Sequence, residues 1–133
     1  METAFGKRLD RVRQASPLVH CISNLVTAND CANVVLAAGA SPIMADAPEE
    51  VREITALSRA LCLSLGTPNP RKADAMFLAG RKAAELGLPV VFDPVGVGAS
   101  AYRQEIARKL LQDIPLTVLR CNASELQTLS GQS

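Results

Sequence analysis

The chain has 133 residues, 48% of them apolar, with 14 basic and 13 acidic side chains and a formal net charge of +1. This size fits one domain with a real core, and the apolar share excludes a disordered chain. One Tyr, three Phe, no Trp and no basic stripe leave nothing for a nucleic acid to bind. No apolar run approaches the roughly 18–20 residues of a membrane span. The opening Met1-Glu2-Thr3-Ala4-Phe5 carries an early acid and no apolar segment, so it does not read as a signal peptide. The expectation is a cytoplasmic protein with neither nucleic acid nor membrane as partner.

In chain order, Phe5 to Gln14 places Phe5, Leu9 and Val12 among Lys and Arg, a short amphipathic helix stopped by Pro17. Leu18 to Ile22 is a short apolar run and reads as a strand. Thr27 to Ala38 is rich in Ala, Val and Leu at helical spacing, with Gly39 at its C′ position. It is apolar on most faces, so it is expected to be buried. Pro42-Ile43-Met44 reads as a very short strand. Pro48 and Glu49 open a helix that runs to about Ser58, with proline in the first turn and acids near the positive end.

Ala60 to Leu65 reads as a strand, and Gly66-Thr67-Pro68-Asn69-Pro70 as a loop. Residues 71–86 form a helix with Ala75, Leu78, Ala79 and Leu86 on one face, ended by Gly87. Leu88 to Phe92 is a strand followed by the breaker-rich Asp93-Pro94-Val95-Gly96-Val97-Gly98. Tyr102 to Gln112 is a helix, Leu116 to Leu119 a strand, and Asn122 to Leu129 a last helix. Alternation of this length predicts an α/β fold: a layered parallel sheet with right-handed crossovers and helices flanking it. Ligands of such sheets lie at the C-terminal strand ends.

The polar residues cluster where those ends fall. Asn24, Val26 and Asn29 follow the first strand, Met44 and Asp46 the second, Gly66-Thr67 the third, Asp93 the fourth, and Arg120, Asn122 and Glu125 the fifth. Asp93 and Glu125 can together hold Mg²⁺, an ion that takes oxygen ligands and keeps waters and phosphates in its shell. Against this, Asp93 is also a natural turn residue before Pro94. Asn122-Ala123-Ser124-Glu125 also has capping-box spacing. Gly96-x-Gly98 can admit a phosphate to backbone amides or simply make a tight turn. Arg120 can grip a phosphate or sit solvated. Val26 and Met44 suit either an apolar pocket or the core. His20, the only histidine, reads as a satisfied, partly buried residue rather than a catalyst. Cys21, Cys31, Cys62 and Cys121 lack metal-ligand spacing and read as small buried apolar residues.

Four strings resemble the hydroxyethylthiazole kinases: Pro17-Leu18-Val19-His20-Cys21-Ile22-Ser23-Asn24, Gly39-Ala40-Ser41-Pro42-Ile43-Met44, Pro89 through Ala99 around Asp93-Pro94-Val95-Gly96-Val97-Gly98, and Arg120-Cys121-Asn122-Ala123-Ser124-Glu125. They run in order from Pro17 to the end. The resemblance implies a ribokinase-like fold and a cytoplasmic homotrimer with sites between subunits. It implies ATP- and Mg²⁺-dependent phosphorylation of the hydroxyl of 4-methyl-5-(2-hydroxyethyl)thiazole, a step of thiamine biosynthesis. By position, Asn24, Val26 and Met44 match thiazole-contacting residues, Arg120 and Asn122 the nucleotide side, and Asp93 and Glu125 acids near Mg²⁺. Cys121 stands where the family often has Gly, and Ser64 where Asn is common. The length corresponds to the N-terminal half of such a domain. The resemblance therefore implies that the hydroxyl-activating residue and a Gly-rich anion hole belong to the C-terminal half, and that this stretch alone is inactive. The competing reading is a non-catalytic α/β module, derived from such a kinase, that binds a nucleotide or another chain.

Overall fold

The computed structural model describes residues 3–131. Its elements are α1 (Ala4–Ala15), β1 (Leu18–Ile22), α2 (Ala28–Ala37), β2 (Ser41–Met44), α3 (Val51–Leu57), β3 (Ala60–Ser64), α4 (Pro70–Leu86), β4 (Val90–Asp93), a 3-10 turn at Val97–Ala99, α5 (Ala101–Asp113), β5 (Val118–Leu119) and α6 (Ala123–Ser130). The five strands pair in parallel, in the order β2-β1-β3-β4-β5.

The helix ends follow local chemistry. The side chains of Thr3, Asn69, Ser100 and Asn122 each accept a backbone N–H in the first turn of the helix they open. Gly87 closes α4 in the left-handed conformation, and the Leu88 N–H then donates to the Ala83 carbonyl. That bond commits Leu88 to the helix end, so β4 begins at Val90 rather than at residue 88. The chain at residues 48–50 is a turn, with the Glu50 and Val51 N–H groups both donating to the Ala47 carbonyl, so α3 starts later than Pro48 suggests.

Topology explains where the core lies. From β1 the chain moves one way to β2, then returns past β1 to add β3, β4 and β5 on the other side. Right-handed crossovers therefore put α2 on one face and α3, α4 and α5 on the opposite face. The core forms under those three helices: Ile22, Leu61, Leu63, Val90 and Phe92 from the strands meet Val51, Met76, Ala79, Ile106 and Leu110 from the helices. Alternate strand residues Cys62, Ser64, Val91 and Asp93 face the other way and are only half-buried.

The expectation that the apolar second helix is buried is corrected. No residue of α2 is buried, and Val34 and Leu36 are 69% and 56% exposed. The helix packs mainly on β2, at the sheet margin, and nothing among the described residues covers its outer faces.

Candidate active site

The strand order reverses between β1 and β3, and in parallel sheets a crevice opens at such a switch point beyond the C-terminal strand ends. A cavity of about 320 Å³ lies there. Cys21 lines it from β1, Ser23 and Asn24 from just beyond β1, Cys62 and Ser64 from β3, Asp93 from β4, and Arg120 from just beyond β5. A second cavity of about 190 Å³ adjoins it, lined by Asn24, Met44 and Asp46 among others. Asn24 and Cys21 border both, so the two form neighbouring subsites.

On the acidic side, Asp93 Oδ2 accepts from Arg120 Nη1 at 3.1 Å. Asp93 Oδ1 is buried without a hydrogen-bond partner. Burial pushes the Asp93 carboxyl above its usual range; the Arg120 guanidinium opposes this, and the Glu125 charge adds to it. Glu125 is therefore near enough to be felt. Its two oxygens are tied to backbone: Oε2 accepts from Asn122 N at 2.9 Å and Oε1 from Gly96 N at 3.1 Å. The capping box read in the sequence is thus formed, with Asn122 Oδ1 accepting from Glu125 N. It also pins the glycine loop that follows Asp93. Gly96 adopts φ +64, the left-handed region that favours glycine. Arg103, which the sequence reading did not single out, braces the same loop by donating from Nη1 to the Val95 carbonyl at 2.7 Å and the Leu65 carbonyl at 3.2 Å.

On the apolar side, Asn24 Oδ1 accepts from Thr27 N at 2.9 Å, which fixes the turn after β1. A Cβ on Gly66 would lie 2.6 Å from Asn24 Cβ, so the β3–α4 loop can press against Asn24 only because residue 66 is glycine. The carbonyl of Gly66 is held by Lys72 Nζ at 2.6 Å. Lys72 is 4% exposed, and burial lowers its pKa to about 8, with Asp46 opposing the shift. Val26 stands apart from its predicted companions: it is 82% exposed and lines neither cavity. The predicted residues at the strand ends thus gather at one end of the parallel sheet, while Val26 points into solvent.

His20 is fully buried on the core side of β1. Its Nε2 donates to the Ala45 carbonyl at 2.8 Å, and its Nδ1 lies 2.9 Å from the Thr55 hydroxyl. Burial lowers its pKa against the pull of the Ala45 bond and of Glu50, and the ring brackets β1 to Ala45 and Thr55. Of the cysteines, only Cys21 is buried; Cys31, Cys62 and Cys121 are half-buried. The Cys21 thiol donates to the Val19 carbonyl at 3.9 Å; the neighbouring Cys62 thiol, with burial, pushes Cys21 up, and Cys21 holds Cys62 below a free thiol. Among the described residues no group of three or more His, Cys, Asp or Glu is placed to hold a metal.

A model described as the Hydroxyethylthiazole kinase family matches residues 9–133. A hydroxyethylthiazole kinase of Alkaliphilus metalliredigens is 52% identical over 128 residues, which is 96% of this chain and 47% of that protein. One from Desulfovibrio desulfuricans is 52% identical over 130 residues, 98% of this chain and 46% of its own length. The solved structure of a hydroxyethylthiazole kinase protein from Pyrococcus horikoshii superposes with a TM-score of 0.91 at 41% identity, covering 95% of this chain and 49% of that one. The chain thus spans about half the length of the relatives it matches.

Proposed function

The chain belongs to the hydroxyethylthiazole kinase family, and we propose that it supplies the thiazole-facing and metal-side part of an ATP- and Mg²⁺-dependent kinase acting on the hydroxyl of 4-methyl-5-(2-hydroxyethyl)thiazole. The observation that carries this reading is Asp93 Oδ1, a buried oxygen without a partner, on a carboxylate that lines a cavity at the switch point. An oxygen left unpaired is costly unless something fills it, and a hard cation suits it.

Mg²⁺ is commonly held by one or two carboxylates with waters and substrate phosphates rather than by an all-protein cage. The lack of a larger acidic cluster among the described residues is consistent with that mode. Asp93 would hold the ion, with Glu125 contributing charge and a loop anchored through Gly96. When bound, the ion neutralises the charge on the phosphates. Arg120 stands at the mouth of the cavity, 72% exposed, with donors left over for a nucleotide phosphate, and Asn122 sits beside it. Asn24 and Met44 border the adjoining apolar subsite and are assigned to the thiazole. Val26, exposed here, serves that role only with a further surface closing over it, which fits a cytoplasmic homotrimer with sites between subunits.

Phosphoryl transfer depends on donors that meet the transferring group in the transition state. The family resemblance assigns the anion hole and the hydroxyl-activating residue to the C-terminal half of such a domain, and this chain spans about half the length of its relatives. We therefore expect no thiazole-dependent turnover from this chain alone. A coupled ADP-release assay with the thiazole alcohol, ATP and Mg²⁺ tests this, run with and without a second polypeptide equal to the remaining half of the Alkaliphilus relative. Activity should emerge only in the mixture. There, Asp93→Asn should lower turnover at limiting Mg²⁺ by about 10²-fold, the scale of losing one preorganised charge, with little change in the thiazole KM. Turnover by the chain alone, or unchanged Mg²⁺ dependence in Asp93→Asn, would overturn the assignment.

A further inference from the structure

The larger cavity holds a chemistry that phosphoryl transfer does not use. Cys21 and Cys62 are register partners on β1 and β3, and both line that cavity. Their neighbours Ile22, Leu61 and Leu63 point into the core, so alternation turns both sulfurs to the opposite, cavity-facing side. The Cys21 thiol donates within its own strand, to the Val19 carbonyl at 3.9 Å. Neighbouring strands lie about 4.8 Å apart, inside the roughly 4.4–6.8 Å Cα separation that a disulfide spans. We propose that Cys21 and Cys62 form a dithiol modification site, which a peroxide converts to a disulfide across β1 and β3.

The steps balance as follows. The Cys62 sulfur attacks one oxygen of hydrogen peroxide and the O–O bond breaks, giving Cys62 sulfenic acid and one water that carries away the Cys62 thiol proton. The Cys21 sulfur then attacks the Cys62 sulfur, the S–O bond breaks, and a second water leaves with the Cys21 proton. Two thiols lose two electrons, and the peroxide is reduced to two waters. Cys62 is the first nucleophile because it is the more accessible of the two, Cys21 being buried. In a reducing compartment such a bond is transient and reversible, the usual behaviour of a redox-responsive pair.

Geometry also sets the selectivity. Cys31 lines the same cavity but sits on α2, where it is engaged with the Ser23 and Thr27 hydroxyls. Cys121 follows β5, outside both cavities. The test exposes the native chain to stoichiometric hydrogen peroxide, alkylates the remaining thiols, and maps a digest by mass spectrometry. The expected result is one peptide pair joined through Cys21 and Cys62, alkylated Cys31 and Cys121, and an intact mass lower by about two hydrogens. Dithiothreitol should reverse the link, and Cys62→Val should abolish it. A link through Cys31 or Cys121, oxygen adducts on Cys62 beside an alkylated Cys21, or full alkylation of both thiols would overturn the proposal. The unmutated chain decides the matter even if the variant does not fold.

Discussion

Lys72 shows how one residue can hold a site without touching its ligand. It lies in the first turn of α4, is 4% exposed, and donates to the Gly66 carbonyl at 2.6 Å. Gly66 in turn rests against Asn24, so the lysine clamps the loop that positions an assigned thiazole contact. Burial disfavours its charge and lowers its pKa from 10.5 to about 8. Between those two values the unfolded chain binds more protons than the folded one, so stability should rise as pH climbs from about 8 toward 10.5. Urea midpoints measured across that window should increase for the unmutated chain relative to Lys72→Met, which removes this contribution but not those of the cysteines. Parallel curves for the two proteins would show that Lys72 carries no such penalty. Nothing in the sequence marks this lysine, because its position reads as an ordinary polar site at a helix start; its burial comes from a loop carbonyl six residues earlier. Asp93 is the opposite case. A strand ending in Asp-Pro-Val-Gly-x-Gly places its carboxylate at a C-terminal strand end by local rules alone. Its unpaired oxygen became visible only in three dimensions, as did the partners of His20, which lie 25 and 35 residues away in sequence.

Among the elements, α4 is the hinge of the packed layer, touching α3, α5, β1 and β3. Its face of small residues, Ala75, Ala79, Gly80 and Ala83, lets the helix sit close to its neighbours. At Gly80 the fit is closest: a Cβ would lie 2.1 Å from Ile114 Cδ1 and 2.9 Å from its Cγ1. Alanine would favour the helix by about 1 kcal/mol. Ile114 is 2% exposed, however, and has little room to yield. Overpacking of this kind typically costs about 1–3 kcal/mol, so Gly80→Ala should be destabilising on balance. Adding Ile114→Val, which removes the offending methyl, should recover part of the loss; additive losses in chemical denaturation would contradict this packing account. The order of elements and their types were legible from periodicity, caps and glycines, since these are local. Strand ends were legible only to within two residues, because hydrogen bonds from the preceding helix decide them, as at Leu88. The apolar pattern of α2 was also legible, but burial is a property of what covers a helix and not of the helix itself.

The whole molecule is a parallel sheet packed on one side. Parallel sheets occur with both faces covered because their strands are apolar on both. Here α3, α4 and α5 cover one face, while α2 lies over the β2 margin of the other. The half-buried Val19, Cys62 and Val91 and the outward Val34 and Leu36 of α2 lie on that second side. The edge strands add little of their own: β2 is blunted by Pro42, and β5 is two residues long. Apolar side chains left together in water drive association, and the Pyrococcus structure contains about as much chain again beyond the matched part. The chain on its own should therefore self-associate through its open face rather than its strand edges. Sedimentation velocity at micromolar concentration should show species heavier than the 14.1 kDa monomer. Val34→Lys with Leu36→Lys should move the population toward monomer, since the two charges would have to be buried without partners for the contact to persist. The same double substitution should leave the urea midpoint of the monomer almost unchanged, because neither side chain packs in the core. A monomeric unmutated chain would mean that the polar groups on this face, Ser64, Asp93 and the rim around Arg120, keep it solvated by themselves.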